Sequence, residues 1–192
     1  MSAIPGSAFL KGKDRIIRIA DPAGQRPTVS VDSSYAWTIT PAPTYLYFYG
    51  LVTADFTPTV NAQDFFLIGG NGWRDSVGTT KAGDMSCTSY LVKKVSAGVV
   101  STDVEDALSK VLECQVNPDR ELWVEEFNFL GTTSGSGGST GYAYYSRAFI
   151  AGITNVRQNS PTDNLIQFSW DFKSRDVVTV GKRVEATQIL LP

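Results

Sequence analysis

Between Leu165 and Lys173, Ile166, Phe168, Trp170 and Phe172 alternate with Gln167, Ser169, Asp171 and Lys173. Side chains on a strand point to opposite faces in turn, so this stretch can only be a strand with one buried and one polar face. Similar signals recur through the chain. Tyr45, Tyr47 and Tyr49 share one face in Tyr45–Val52, and Ala62–Gly69 ends in the turn cluster Gly69-Gly-Asn-Gly72. Met85–Val95 sets Cys87, Leu91 and Val95 against Thr88, Tyr90, Val92 and Lys94. Glu121–Leu130 sets Trp123, Phe127 and Phe129 against Leu122, Val124 and Leu130, and Tyr142–Thr154 is a long strand. Near the start, Arg15-Ile-Ile-Arg-Ile-Ala20 is a strand within an arm that needs a neighbour, closed by the turn Asp21-Pro-Ala-Gly24.

One segment has the other period. Val104, Ala107, Leu108, Val111 and Leu112 fall at helical spacing. Thr102 with Glu105 forms a capping box, Asp103, Glu105 and Asp106 suit the positive end of a helix dipole, and Asn117-Pro118 closes the helix. The expected fold is therefore mainly β: a small β-barrel or sandwich of two sheets with one flanking helix over about residues 103–116. Residues 1–192 are expected to form a single domain. Within it, 1–40 is an N-terminal arm and first strand, 41–181 the barrel with its helix, and 182–192 a C-terminal tail. Every residue from Gly131 to Gly141 is Gly, Ser or Thr, so that stretch is expected to be a mobile loop. Gly70–Gly83 is expected to be another.

The sequence of 192 residues contains no histidine. That removes Ser-His-Asp and Cys-His catalysis, His-ligated metal sites and the usual general base near neutral pH. Cys87 and Cys114 cannot complete a zinc site. They read as reduced core residues, with a disulfide in an exported protein as the rival. No metal, cofactor or catalytic residue is expected. Gly69-Gly-Asn-Gly-Trp-Arg74 lacks the order of a phosphate-binding loop and reads as a turn. Asp103, Glu105 and Asp106 lack the turn glycine of a calcium loop and read as helix capping. Carboxylate-only hydrolysis of glycosides needs no histidine, but no pair of acids is evident for it.

Net charge is −2 and charged residues are 19% of the chain, below the roughly 25% of an average domain. Near-neutrality argues against a nucleic-acid clamp. From Asp103 to Glu126 eight acids (Asp103, Glu105, Asp106, Glu113, Asp119, Glu121, Glu125 and Glu126) face two bases, Lys110 and Arg120. They form either a solvated face or a negative surface that repels DNA or orients a neighbour. The Pro5-Gly6 break precludes a leader's apolar stretch, and no run approaches the roughly 20 residues that span a bilayer. Synthesis in the cytosol without membrane insertion is expected.

Asp64-Phe-Phe-Leu-Ile-Gly-Gly-Asn-Gly-Trp-Arg-Asp-Ser76 resembles the segment of phage tail tube proteins in which a Gly-Trp pair, here Gly72-Trp73, opens a loop before a long alternating strand. Ser146-Arg-Ala-Phe-Ile-Ala-Gly-Ile-Thr-Asn155, then a Pro-containing turn and Ile166-Gln-Phe-Ser-Trp-Asp-Phe172, is similar to that family's last two strands. The resemblance covers roughly residues 40 to 181, leaving the arm and the tail outside it. It implies a small barrel of two sheets with a flanking helix, in six-subunit rings that stack into a hollow tail tube of the virion. DNA passes through such a lumen without specific binding. Implied partners are other copies of the chain, terminator and baseplate or tape-measure proteins, and a sheath protein if the tail contracts. Tubes of contractile injection and type VI secretion systems share the architecture and remain an alternative, as does a β-barrel module for a small ligand. Trp73, Arg74, Asp75, Tyr90 and Trp123 are the candidate contacts between subunits, since large aromatics are costly to leave exposed. Gln167, Ser169, Asp171 and Lys173 are the candidate polar lumen or solvent face.

Overall fold

The computed structural model describes residues 15–66, 74–96, 99–134, 140–160, 165–176 and 178–189. The strands are β1 (Arg15–Ala20), β2 (Thr28–Val31), β3 (Trp37–Thr40), β4 (Leu46–Tyr47), β5 (Leu51–Phe66), β6 (Arg74–Tyr90), β7 (Lys93–Ser96) and β8 (Val99–Val104). The helix α1 (Asp106–Val116) follows, then β9 (Leu122–Ser134), β10 (Thr140–Asn159), β11 (Gln167–Ser174) and β12 (Thr179–Glu185). Eight strands form one antiparallel sheet in the order β4-β1-β9-β10-β11-β6-β5, with β12 also on β10. The pairs β2–β3 and β7–β8 are separate ribbons. The architecture is mainly β with one helix, as expected. Among the described residues no ladder joins β5 back to β1, so the sheet is open rather than a closed barrel.

Alternation in β11 matches expectation: Phe168, Trp170 and Phe172 are buried, while Gln167, Ser169 and Asp171 are half-buried and Lys173 is exposed. Trp170 and Phe172 pack against Phe48, with ring centroids 5.3 and 6.5 Å away. That core continues through Ile17, Ile19, Val124 and Phe149, and Ala107, Leu108, Val111 and Cys114 of α1 cover it. A smaller core on the opposite face joins Ala20, Trp123, Ala148 and Ile150 under Trp37 of β3. Residues 15–40, the described part of the expected N-terminal arm, have neighbours within the chain: β1 lies between β4 and β9, and β3 caps the second core. Residues 182–185, expected in the tail, complete β12 and pair with Tyr142–Tyr145.

The structure corrects several boundaries. The helix begins at Asp106, not near 103, because Val104 pairs with Lys93 and holds Asp103 and Val104 in β8. Glu105 is the N-cap residue, without a side-chain cap bond, and Thr102 lies in β8, so Thr102 is not the N-cap that the expected capping box needs. The Glu105 carboxylate turns inward to accept the Tyr49 N–H at 2.9 Å. The Tyr45–Val52 strand is interrupted, β4 ending at Tyr47 and β5 beginning at Leu51. At the break, a Cβ on Gly50 would lie 2.5 Å from Val92 Cγ2 and 2.7 Å from the Tyr90 carbonyl oxygen, so the chain passes where only glycine fits.

Both expected loops are largely strand. Residues 74–83 extend β6 and pair with β5 out to Phe66↔Arg74, leaving 70–73 outside the described residues. Residues 131–134 and 140–141 zip β9 to β10, and only 135–139 lie outside. Backbone hydrogen bonds serve Ser and Thr as well as any residue, and β-branched Thr favours a strand. The bulge falls at Leu130, where Gly131 adopts φ +140°.

Gly83 faces the Phe56 ring so closely that a Cβ would lie 2.1 Å from Phe56 Cζ. That ring also packs on Phe149 at 5.8 Å and under the Arg147 guanidinium at 4.7 Å. Gly83→Ala is expected to cost about 1–3 kcal/mol through overpacking, read from the urea midpoint. An unchanged midpoint would mean that the ring moves freely.

Candidate functional site

Three features could do work: a polar face, two buried ion-pair clusters and a projecting ribbon. On the polar face, Ser169 and Asp171 of β11 meet Ser86 and Thr88 of β6, Thr53 and Asp55 of β5, and Asn155 and Arg157 of β10 around a shallow depression of about 320 Å³. Asp171 is held at both oxygens, Ser86 Oγ donating to Oδ1 and Asn155 Nδ2 to Oδ2, each at 2.6 Å. Gln167 and Lys173 lie on the same side of β11, so the expected polar set does share one face.

The candidate contacts are dispersed. Trp73 lies outside the described residues, while Arg74 and Asp75 open β6 opposite Phe66 and Phe65. Tyr90 ends β6 opposite Gln167 and is half-buried. Trp123 is only 3% exposed, and its indole N–H donates to Glu125 Oε1 at 2.6 Å. Trp170 is 1% exposed. Both tryptophans are core residues, so the cost of leaving a large aromatic exposed gives Trp123 no need of a neighbouring subunit.

Sequence reasoning missed the role of the acids. Glu105, Glu125 and Glu126 are buried, which corrects the reading of the acid-rich stretch as wholly a solvated or negative face. Adjacent in β9, Glu125 and Glu126 point to opposite sides of the sheet. Glu125 Oε2 receives Arg18 Nη2 at 2.7 Å and Arg183 Nη1 at 3.1 Å, while Oε1 receives Tyr45 Oη at 2.5 Å. The Arg18 guanidinium stacks 3.4 Å from the Tyr45 ring centroid. Burial alone would lower its pKa, but Glu125 beside it raises it overall. Burial, then Glu125, pushes the Tyr45 hydroxyl well above its ordinary range. On the other side Glu126 holds Arg15 at 2.8 Å and Arg147 at 2.7 Å. Each carboxylate is paired, as burial of a charge requires.

The ribbon is the part of β5 and β6 beyond the reach of β11, whose pairing with β6 stops at Lys173↔Asp84. From Pro58↔Gly83 to Phe66↔Arg74, β5 and β6 pair only with each other among the described residues. At roughly 3.3 Å per residue that is about 30 Å of two-stranded ribbon.

Among the described residues no three His, Cys, Asp or Glu side chains are grouped to hold a metal. Both cysteines are free and buried, and burial raises both thiols above their ordinary pKa. A thiol reagent at pH 8 is expected to label neither until denaturant is added, because the thiolate is the nucleophile. Labelling of either in the folded protein would contradict this burial.

No protein-family model matches the chain, and no curated protein matches its sequence. Among solved structures, a chain in the tail of an empty gene transfer agent particle, refined helically with C6 symmetry, superposes with a TM-score of 0.50 at 12% identity. The match covers 90% of this chain and 99% of that one, and it shows a shared fold. The SPP1 tail tube gives a TM-score of 0.48 at 11% identity over 92% of this chain and 78% of that one. A crystal structure of Hcp protein gives 0.40 at 13% identity over 88% and 97%.

Proposed function

We propose that this chain is a structural tail protein of a virion, whose copies form six-membered rings that stack into a tube for genome delivery. The observation that carries the reading is the β5–β6 ribbon on an open sheet. An isolated two-stranded ribbon is marginal in water, and open edges invite pairing. Both are met when neighbouring copies supply the missing contacts. The fold shared with a chain from a C6 tail supports the sixfold arrangement. Self-association, not catalysis, is the activity, and terminator, baseplate or tape-measure proteins would meet the tube at its ends. A sheath would surround it if the tail contracts. The face holding Asp55, Asp171 and Ser169 also carries Arg157 and Lys173, and this balance of two acids and two bases suits a lumen, since it lacks the basic stripe that retains phosphates.

The test is sedimentation and electron microscopy of the purified chain over a wide range of concentration and salt. Sixfold rings or tubes are expected, with no tight, salt-sensitive affinity for DNA. A monomer under every condition overturns the reading, and tight DNA retention by assembled tubes overturns the lumen assignment.

A further inference from the structure

Between β4 and β5 the chain walls a cleft of about 620 Å³ against β7 and the start of α1, with Tyr47, Tyr49, Lys94, Glu105 and Asp106 in its lining. Glu105 is 2% exposed. Its Oε2 accepts the Tyr49 N–H, but its Oε1 is buried with no hydrogen-bond partner among the described residues. Two lysines share the lining and neither bonds Oε1: Lys94 Nζ lies 2.8 and 2.7 Å from the two oxygens of Asp106, and Lys93 is exposed. Burial pushes the Glu105 carboxyl up, against the opposing pull of the Tyr49 N–H. A buried carboxylate oxygen without a donor is costly, and a cation is the partner that offsets it best.

We propose that this cleft receives a lysine or arginine side chain from a second copy of the chain, its cation on Glu105 Oε1 and its stem along Tyr47 and Tyr49. The inference rests on the self-assembly reading above. Aromatic faces attract a cation, and a long aliphatic stem covers apolar surface while its head stays paired. A second copy fits better than a small amine because the apolar lip continues past the cleft. Tyr49 is 54% exposed and also borders a second depression of about 450 Å³ between Ile16 of β1 and Leu51 and 48%-exposed Val52 on the open edge of β5, where Arg15 of β1 donates to the Ala54 carbonyl. An incoming strand can cover that edge.

The test uses Glu105→Gln, which keeps a carbonyl for the Tyr49 N–H and removes the charge. It also uses a photo-crosslinking amino acid at Tyr49 in mixtures of isotopically light and heavy protein. The Glu105→Gln subunit is expected to melt no lower than the parent at neutral pH, since a buried charge has gone, yet to need at least tenfold more protein to assemble. The crosslink is expected to join light to heavy copies at a peptide containing Lys or Arg. Assembly of Glu105→Gln at the parent concentration overturns the proposal while leaving the tube reading intact. So does a crosslink confined to one copy, or to a peptide without a basic residue. If Glu105→Gln fails to fold, the crosslink alone decides. A parent chain that never assembles removes the tube reading and the proposal together.

Discussion

Glu125→Ala is expected to cost about 3–5 kcal/mol, the usual loss when a buried ion pair keeps its charge and loses its partner. Glu125 is 0% exposed and joins two guanidiniums, a phenol and an indole at once. Without it, Arg18 loses its carboxylate and Arg183 keeps only Glu185. A domain has only about 5–15 kcal/mol of stability in total, so the variant should unfold at much lower urea, with Trp123 fluorescence reporting directly. Replacing all three charges together (Arg18→Met, Glu125→Leu, Arg183→Met) is expected to recover most of the loss, because apolar packing can substitute for a buried ion cluster. A loss below about 1 kcal/mol in the single variant would place the cluster among weakly coupled surface pairs and contradict its burial.

Replacing Thr59–Ala82 by a two-residue turn is expected to abolish assembly and spare the subunit. The cut falls outside β11's reach, so the ladder from Gln167↔Tyr90 to Lys173↔Asp84 remains, and the large core lies inside that boundary. The shortened chain should give the parent's cooperative melt yet sediment as a monomer at a hundredfold the parent's assembly concentration. Tubes formed by the shortened chain would show that contacts between copies lie elsewhere. A collapsed melt would show that the ribbon supports its own subunit.

The strongest elements were legible because burial imposes a period on them. Phe168-x-Trp170-x-Phe172 and the helical residues Ala107, Leu108 and Val111 occupy the predicted faces, while Leu112 of the predicted stripe is half-buried and Cys114 takes a place in the core beside them. Tertiary competition decided the rest. Val104 fits a helical stripe, but its pairing with Lys93 holds it in a strand. The glycine- and threonine-rich flanks of 135–139 have no hydrophobic period, yet they form a ladder through backbone bonds. The buried acids had a signal that composition obscured: in Trp123-x-Glu125-x-Phe127, a carboxylate sits on a face of aromatics, where it needs a partner. Arg18, within the apolar strand Arg15-Ile-Ile-Arg-Ile-Ala20, was that partner. Pairing across 107 positions is invisible to local pattern, so neither residue reveals the other in the sequence.

That separation has a consequence for how the chain is made. Arg18 and Glu125 lie 107 positions apart, and β1 pairs along its whole length with β9. A ribosome adds about 5–20 residues per second, so β1 waits roughly 5–20 s after emerging before β9 exists. During that interval Ile16, Ile17 and Ile19 have at most the two-residue β4 beside them and lack β9, so the strand is open to its counterpart in a neighbouring nascent chain. Non-local pairing of this kind also slows folding. Arg15 and Arg18 keep that strand charged while it waits, and like charges on neighbouring copies oppose premature pairing until Glu125 and Glu126 arrive to receive them.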